Sequence, residues 1–369
     1  MNQKSGMSPK KKILLVSLAF LSFLLSFFRI ARFGCIDKAF LFECCVDFYC
    51  DYANGIYNEI IKGGIAADSL IGIGRVFSTM YAPFAVGPFL VALLNILVGD
   101  IGKSTILLSV LPTVLSFYLL YTFQKGENSE TQFFSLAIFA SHYLVVFAFA
   151  NRGSEALTMC ISLLFFLSLK KSLDRRLYFI PTLFLGVVGV LTRINFAPFL
   201  VLAPMLLFTR TNGDRRLSNC MLGVLVIVIP IMAYFLFIHV FSLYQNMAVW
   251  KTYLYGADNE KYKTPLHIVL FLAIGFQLFP ILIVIGMKET ASERLVYAIP
   301  PILLIVILAL FGLPFTNRYI APFIPSLVIA STNGISRVLK MCGGRELLTA
   351  LISLNYVVFY IVTIFNIAA

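Results

Sequence analysis

Residues 177–208 read LYFIPTLFLGVVGVLTRINFAPFLVLAPMLLF, an apolar run whose only charge is Arg193, near its middle. A helix crosses the hydrocarbon core of a bilayer in roughly 17–25 residues, so this run is too long for one span. It predicts two short helices that meet at the arginine, because a guanidinium in lipid is costly and marks a site, an ion pair or a break. Similar runs recur in both directions: residues 13–28, 77–98, 105–123, 132–150, 155–169, 220–241, 265–287, 295–313, 319–332 and 347–367. The chain is 60% hydrophobic and 12% charged, about half the charge of an ordinary soluble domain, and its mean hydropathy is +0.92. Helices satisfy their own backbone hydrogen bonds in lipid. The expectation is an all-α polytopic membrane protein with about 11–12 transmembrane helices, residues 1–369 forming a single integral-membrane domain. Several runs are short, which suggests helices that stop early to wall a cavity.

A net charge of +12 invites a nucleic-acid partner, but the basic residues flank the apolar runs. Lys10, Lys11 and Lys12 precede the first run; Lys170, Lys171, Arg175 and Arg176 sit together, as do Arg210, Arg215 and Arg216, and Arg337, Lys340 and Arg345. Such clusters are the positive-inside signal, which orients membrane helices; the expected partner is membrane lipid and not nucleic acid. The N-terminus is then cytosolic. A loop over residues 30–75 lies on the far side with Arg193, Asn317–Arg318 and a second polar loop, 242–264. The run 13–28 is followed by no small-residue cleavage site and reads as a retained anchor. Between residues 31 and 131 the parity fails by one crossing: either residues 60–74 dip into the membrane or an assigned span does not cross.

The first loop contains GCIDKAFLFECCVDFYCDY (34–52). Asp37, Glu43, Asp47 and Asp51, followed by Glu59 and Asp68, make it the densest acidic segment of the chain. Asp37 lies a few residues beyond the membrane boundary, where a carboxylate at the mouth of a bundle cavity is placed to take a proton from a hydroxyl. Cys35, Cys44, Cys45 and Cys50 share this loop on an oxidising side, so at least one disulfide is expected, with the connectivity open. Their spacing is not a zinc pattern. His142, His239 and His267 are scattered through apolar runs, and no Walker loop, dinucleotide-binding glycine motif, HExxH or nucleophile elbow occurs. Arg152 (NRGSEAL), Arg193 (LTRINFAPF) and Arg318 (TNRYIAPFIP) each interrupt or border an apolar run. Three arginines near one membrane face would make an anion pocket, and their forked donors suit phosphate.

In chain order these fragments resemble the membrane-integral mannosyltransferases that use dolichyl-phosphate-mannose, the GT-C type of the GPI-anchor and N-glycan pathways. That family opens with a helix and a lumenal loop reading approximately Asn-Pro-Asp-Glu-x-x-Gln-x-x-Glu; this chain has Cys35-Ile36-Asp37-Lys38-Ala39-Phe40 and then Glu43. Its Ile-Arg-Ser ahead of a proline-containing span is similar to Gly74-Arg75-Val76-Phe77-Ser78 with Pro83. Asn151-Arg152-Gly153-Ser154-Glu155 looks like a shortened Arg-Thr-x-Ser-Asn-x-x-Glu, and Arg193-Ile194-Asn195 resembles Arg-Pro-Thr without its proline. The late motif His-Lys-Glu-x-Arg-Phe-Ile-Tyr-Pro-x-x-Pro resembles Arg318-Tyr319-Ile320-Ala321-Pro322-Phe323-Ile324-Pro325, with Phe315-Thr316-Asn317 where His-Lys-Glu stands. Tyr255-Gly256 in the second loop also fits.

The resemblance implies a GT-C architecture with a lumenal catalytic first loop, in a multi-pass protein of the endoplasmic reticulum membrane. The implied activity is inverting transfer of mannose from dolichyl-phosphate-mannose to a lipid-linked glycan. The GPI-anchor precursor, at the third mannose or a neighbouring step, is favoured over the N-glycan lipid-linked oligosaccharide. Asp37 is then the base and Glu43 its substitute; Arg318, Arg193 and Arg152 hold the donor phosphate; Arg75 and Tyr255 face the acceptor. No cofactor is implied beyond the polyprenyl-linked sugar donor, and the metal requirement stays open. A polytopic transporter and a non-catalytic lipid-binding membrane protein also stay open.

Overall fold

The computed structural model describes residues 24, 43–64, 67–79, 85–150, 154–210, 215–241, 263–287, 293–313, 315 and 317–365. Among these every regular element is a helix, and the apolar composition makes this an all-α membrane protein. Helices α1 (Glu43–Gly63) and α2 (Ala67–Thr79) pack as one hairpin, and α3 (Val86–Val98) and α4 (Ile101–Phe123) as another. There follow α5 (Ser129–Ser141), α6 (Tyr143–Ala150), α7 (Glu155–Asp174), α8 (Phe179–Thr192), α9 (Leu202–Arg210) and α10 (Arg215–Val240). The last five are α11 (Pro265–Phe276), α12 (Phe279–Gly286), α13 (Ile299–Leu310), α14 (Ile324–Lys340) and α15 (Gly344–Phe365).

Local chemistry sets several helix ends. Gly99 closes α3 at φ +69, and Asp100 caps α4 by accepting the Lys103 N–H at 2.9 Å, so an orphan donor is satisfied and a left-handed turn is made without a Cβ. That N–H, with the Lys103 charge beside it, holds the exposed Asp100 carboxyl below the usual carboxylate range. Asn128 caps α5 by accepting the Glu130 N–H at 2.8 Å, and Thr264 caps α11 directly ahead of Pro265.

Among the described residues three helices are long and apolar enough to cross a membrane: Ile101–Phe123, Glu155–Asp174 and Ser218–Val240. Two bent pairs, Ser129–Ser141 with Tyr143–Phe149 (62°) and Pro265–Phe276 with Phe279–Gly286 (59°), raise this to five. Of the about 11–12 membrane helices expected, the described residues supply these three to five and, beside them, the shorter apolar helices Val86–Val98, Arg176–Thr192, Ile194–Thr209 and Arg294–Leu310. The run 177–208 does divide at Arg193, with α8 ending at Thr192. Helix α3 starts at Val86 and is about 20 Å long at 1.5 Å per residue, short of a hydrocarbon core of about 30 Å. The segment 30–75, expected as a loop, is helical from Glu43. The anchor run 13–28, apart from residue 24, and the second loop up to residue 262 lie outside the described residues.

Helix α7 sits at the centre, buried along most of its length and flanked by α4 and α8. Phe166 on α7 meets Phe199 at 5.4 Å and Tyr297 at 5.2 Å, and Phe199 stacks on Phe323 at 4.4 Å. Such pairs add about 0.5–1.5 kcal/mol each beyond simple burial; here they lock the segments after Arg193 and Arg318 against α7. Helices α12 and α14 cross closely because Gly334 has no side chain: a Cβ there would collide with the Leu282 carbonyl oxygen. Helix α10 exposes Met221, Val224, Val228, Met232, Phe235 and Leu236, a face suited to lipid.

One end of the bundle is basic. Lys170 donates to the Phe123 carbonyl at 3.5 Å, Arg294 pairs with Glu127 and donates to Asn333 at 2.7 Å, and Arg345 pairs with Glu130 at 2.7 Å. All converge on the connection from α4 to α5 and the adjoining part of α14.

Candidate functional site

The opposite end gathers chain breaks. Helices α7 and α8 run antiparallel, with the hydroxyls of Ser168 and Thr182 2.9 Å apart, so the start of α7 meets the end of α8. Glu155 opens α7. Arg193 leaves α8 in an extended conformation, φ −157° and ψ 131°, which lets its side chain turn back towards α7. Its Nη1 lies 2.6 Å from Glu155 Oε1, with side-chain exposures of 9% and 0%. Two residues on, Asn195 donates its side-chain N–H to the Tyr319 carbonyl at 3.2 Å, while its Oδ1 is buried without a partner. That bond clips the Arg193 turn to the helical turn Asn317–Ile320, which carries Arg318. From α11, His267 Nε2 lies 3.1 Å from the Phe315 carbonyl and closes the same connection.

The α1–α2 hairpin belongs to this end. Gly186 of α8 faces Pro230 of α10, and the C-terminal ends of both helices reach the hairpin region: Ala85 donates to the Leu191 carbonyl at 3.2 Å, and Phe237 and Phe241 pack against Tyr52, Ile56 and Ile73. Glu59 on α1 is half-buried, its carboxylate lying over Gly72 of α2.

Asp37, Cys35, Arg152 and Tyr255 lie outside the described residues. Glu43, Cys44, Cys45 and Cys50 fall in the first turns of α1 and Arg318 in Asn317–Ile320; their side chains are outside the described set. Arg75 is exposed on α2. Of the three arginines expected to hold a phosphate, Arg193 alone has its side chain described, and it is already paired with Glu155. An anionic ligand would have to displace Glu155 or join the pair. Among the described residues no group of three or more His, Cys, Asp or Glu side chains could hold a metal ion.

Sequence reasoning did not assign Glu155 or Asn195 a role. The signal for Glu155 was present: it is the only acid between residues 131 and 173, and acids in apolar surroundings seek a cation. No model of a known protein family matches the chain, and no curated protein sequence matches it either.

Proposed function

We propose that the protein transfers mannose from dolichyl-phosphate-mannose to a lipid-linked glycan at the lumenal face of the endoplasmic reticulum, the GPI-anchor precursor ahead of the N-glycan oligosaccharide. The observation that carries the reading is the convergence of three fragments behind the resemblance: Glu155 against Arg193, and Asn195 against Tyr319, one residue past Arg318. The acid-bearing α1–α2 hairpin packs at that same end.

In this reading Asp37 accepts the proton of the acceptor hydroxyl as its oxygen bonds to the anomeric carbon, and Glu43 is its substitute. The bond from that carbon to the phosphate oxygen breaks, inverting the centre and leaving dolichyl phosphate as an anion. Arg318 and Arg152 stabilise that anion, since charge placed where it develops is worth most in a water-poor site. Arg193 joins them only if Glu155 yields it. Arg75 and Tyr255 face the acceptor.

The test is transfer from labelled dolichyl-phosphate-mannose by membranes containing the protein. Asp37→Asn should abolish transfer in a folded protein. Arg318→Lys keeps the charge without the fork and should weaken donor use partly, whereas Arg318→Ala should weaken it severely. A wild-type protein that transfers no mannose to either glycan acceptor overturns the reading. The two bent spans favour one other reading, a secondary transporter, because such proteins build sites from discontinuous helices; it predicts labelled solute uptake and no sugar transfer.

A further inference from the structure

Two membrane-spanning elements break where they face each other. Helix α5 stops at Ser141 and α6 restarts at Tyr143 with a 62° bend; α11 stops at Phe276 and α12 restarts at Phe279 with a 59° bend. At the first break His142 is extended, at φ −68° and ψ 127°. At the second, Gln277 adopts φ +43°, a region that a residue with a Cβ occupies only when its surroundings enforce it. The breaks touch: the His142 ring stacks on Phe279 at 5.5 Å and lies against the Gly275 backbone.

The polar groups around these breaks are incompletely matched. Asn355 on α15 donates to Ser141 Oγ at 3.0 Å, and Ser141 donates to the Ile138 carbonyl at 3.2 Å. Gln277 is different: its Oε1 and Nε2 are both buried and neither has a partner. A primary amide shut away from water without hydrogen bonds is strongly disfavoured, the more so at membrane depth. Gln277 and Asn355 line a partly open cavity of ≈ 10 Å³ whose other walls are Ile138, Leu278, Phe279, Leu282 and Leu351. That is about the volume a single water needs, and a polar cavity of that size holds water where an apolar one stays dry.

We propose that this chamber is a binding site for one water molecule, which accepts from Gln277 Nε2, donates to Gln277 Oε1 or Asn355, and belongs to the fold. Among the described residues no side chain lining the chamber is charged, so the site suits a neutral hydrogen-bonding ligand and not an ion. The water explains why Gln277 holds its unfavourable backbone angle: the turn carries the amide to Asn355, the other polar side chain of the wall among the described residues. It also makes the two bends one wet joint, since α5, α12 and α15 each contribute a wall. This inference does not depend on the proposed transfer of mannose.

The test is X-ray-driven hydroxyl-radical labelling of the full chain in lipid nanodiscs, because radicals formed from a bound water oxidise the side chains beside it. Phe279 is 2% exposed, and Phe165 and Phe166 are 0% exposed, so solvent alone should leave all three unmarked. The expected result is oxidation of Phe279 with Phe165 and Phe166 silent, and loss of the Phe279 signal to their level in Gln277→Leu, which removes the amide and fills the space. Gln277→Met serves the same purpose if the leucine variant misfolds. A wild-type Phe279 as silent as Phe165 overturns the proposal. So does a Phe279 signal that persists unchanged in a folded Gln277 variant, which would trace it to opening of the bundle.

Discussion

At position 193 a guanidinium is held almost out of solvent, 2.6 Å from a carboxylate that is fully so. Mutual attraction in a low dielectric offsets the cost of burying both, but removing one partner leaves the other as an uncompensated charge, worth about 3–5 kcal/mol. Glu155→Leu should therefore lower the thermal unfolding midpoint sharply, and Arg193→Met should do the same. The double substitution removes both charges and should recover most of the loss, as replacing whole buried pairs often does. Melting curves of the three variants decide this. A double variant as unstable as the two losses added would mean that the pair contributes nothing as a pair. Arg193 was legible in the sequence because a lone charge stands out in an apolar run. Its partner was marked as the only acid between residues 131 and 173, but that signal was masked because Glu155 stands at the start of a helix, where acids are common for a different reason, the positive end of the helix dipole.

At the scale of elements, hydropathy reported composition faithfully and continuity poorly. The break at Arg193 was visible because it coincides with a charge. The breaks at His142 and Gln277 coincide with uncharged residues inside runs that stay apolar on both sides, and a 62° bend leaves no trace in such a window. The hairpin α1–α2 was read as a polar loop because its acids dominate the composition, although Tyr52, Ala53 and Ile56 recur at helical spacing and are all buried. The crossing of α12 and α14 is another element-level feature, fixed by glycine at position 334. Gly334→Ala would place a methyl against the Leu282 carbonyl oxygen and force the helices apart. Overpacking of this kind costs about 1–3 kcal/mol, and the effect should appear as a lowered unfolding midpoint in detergent. A midpoint equal to that of the wild type would mean that the crossing is looser than the close approach of Gly334 to α12 requires.

Across the whole molecule charge is divided between the two ends. Lys170, Arg294 and Arg345 converge on the connection between α4 and α5, and Arg337 donates to the Ile285 carbonyl at 3.2 Å near the same end. By the rule that positive charge is retained on the cytosolic side of a membrane, the Arg193–Glu155 pair and the hairpin are expected on the lumenal side. Thiol chemistry can read that orientation directly. Cys342 is free and exposed between α14 and α15, at the basic end. Helix α4 runs from Ile101 to Phe123, about 35 Å at 1.5 Å per residue, long enough that its first turn is expected across the membrane from Cys342. Lys103→Cys marks that turn: the Lys103 side chain is 73% exposed and its ion pair with Asp100 is a surface one, worth little to stability, while the backbone N–H that Asp100 caps is kept. In sealed microsomes a membrane-impermeant maleimide should modify Cys342, and should reach the Lys103→Cys thiol only after permeabilisation. Peptide mapping assigns each adduct and keeps the cysteines at 35, 44, 45 and 50 apart from these two. The reverse pattern would turn the molecule over and move Arg193, Glu155 and Arg318 to the cytosolic face, away from a lumenal sugar donor. Modification of both thiols in sealed vesicles would mean that α4 does not cross, leaving the parity of the first third of the chain to be set by α1 and α2.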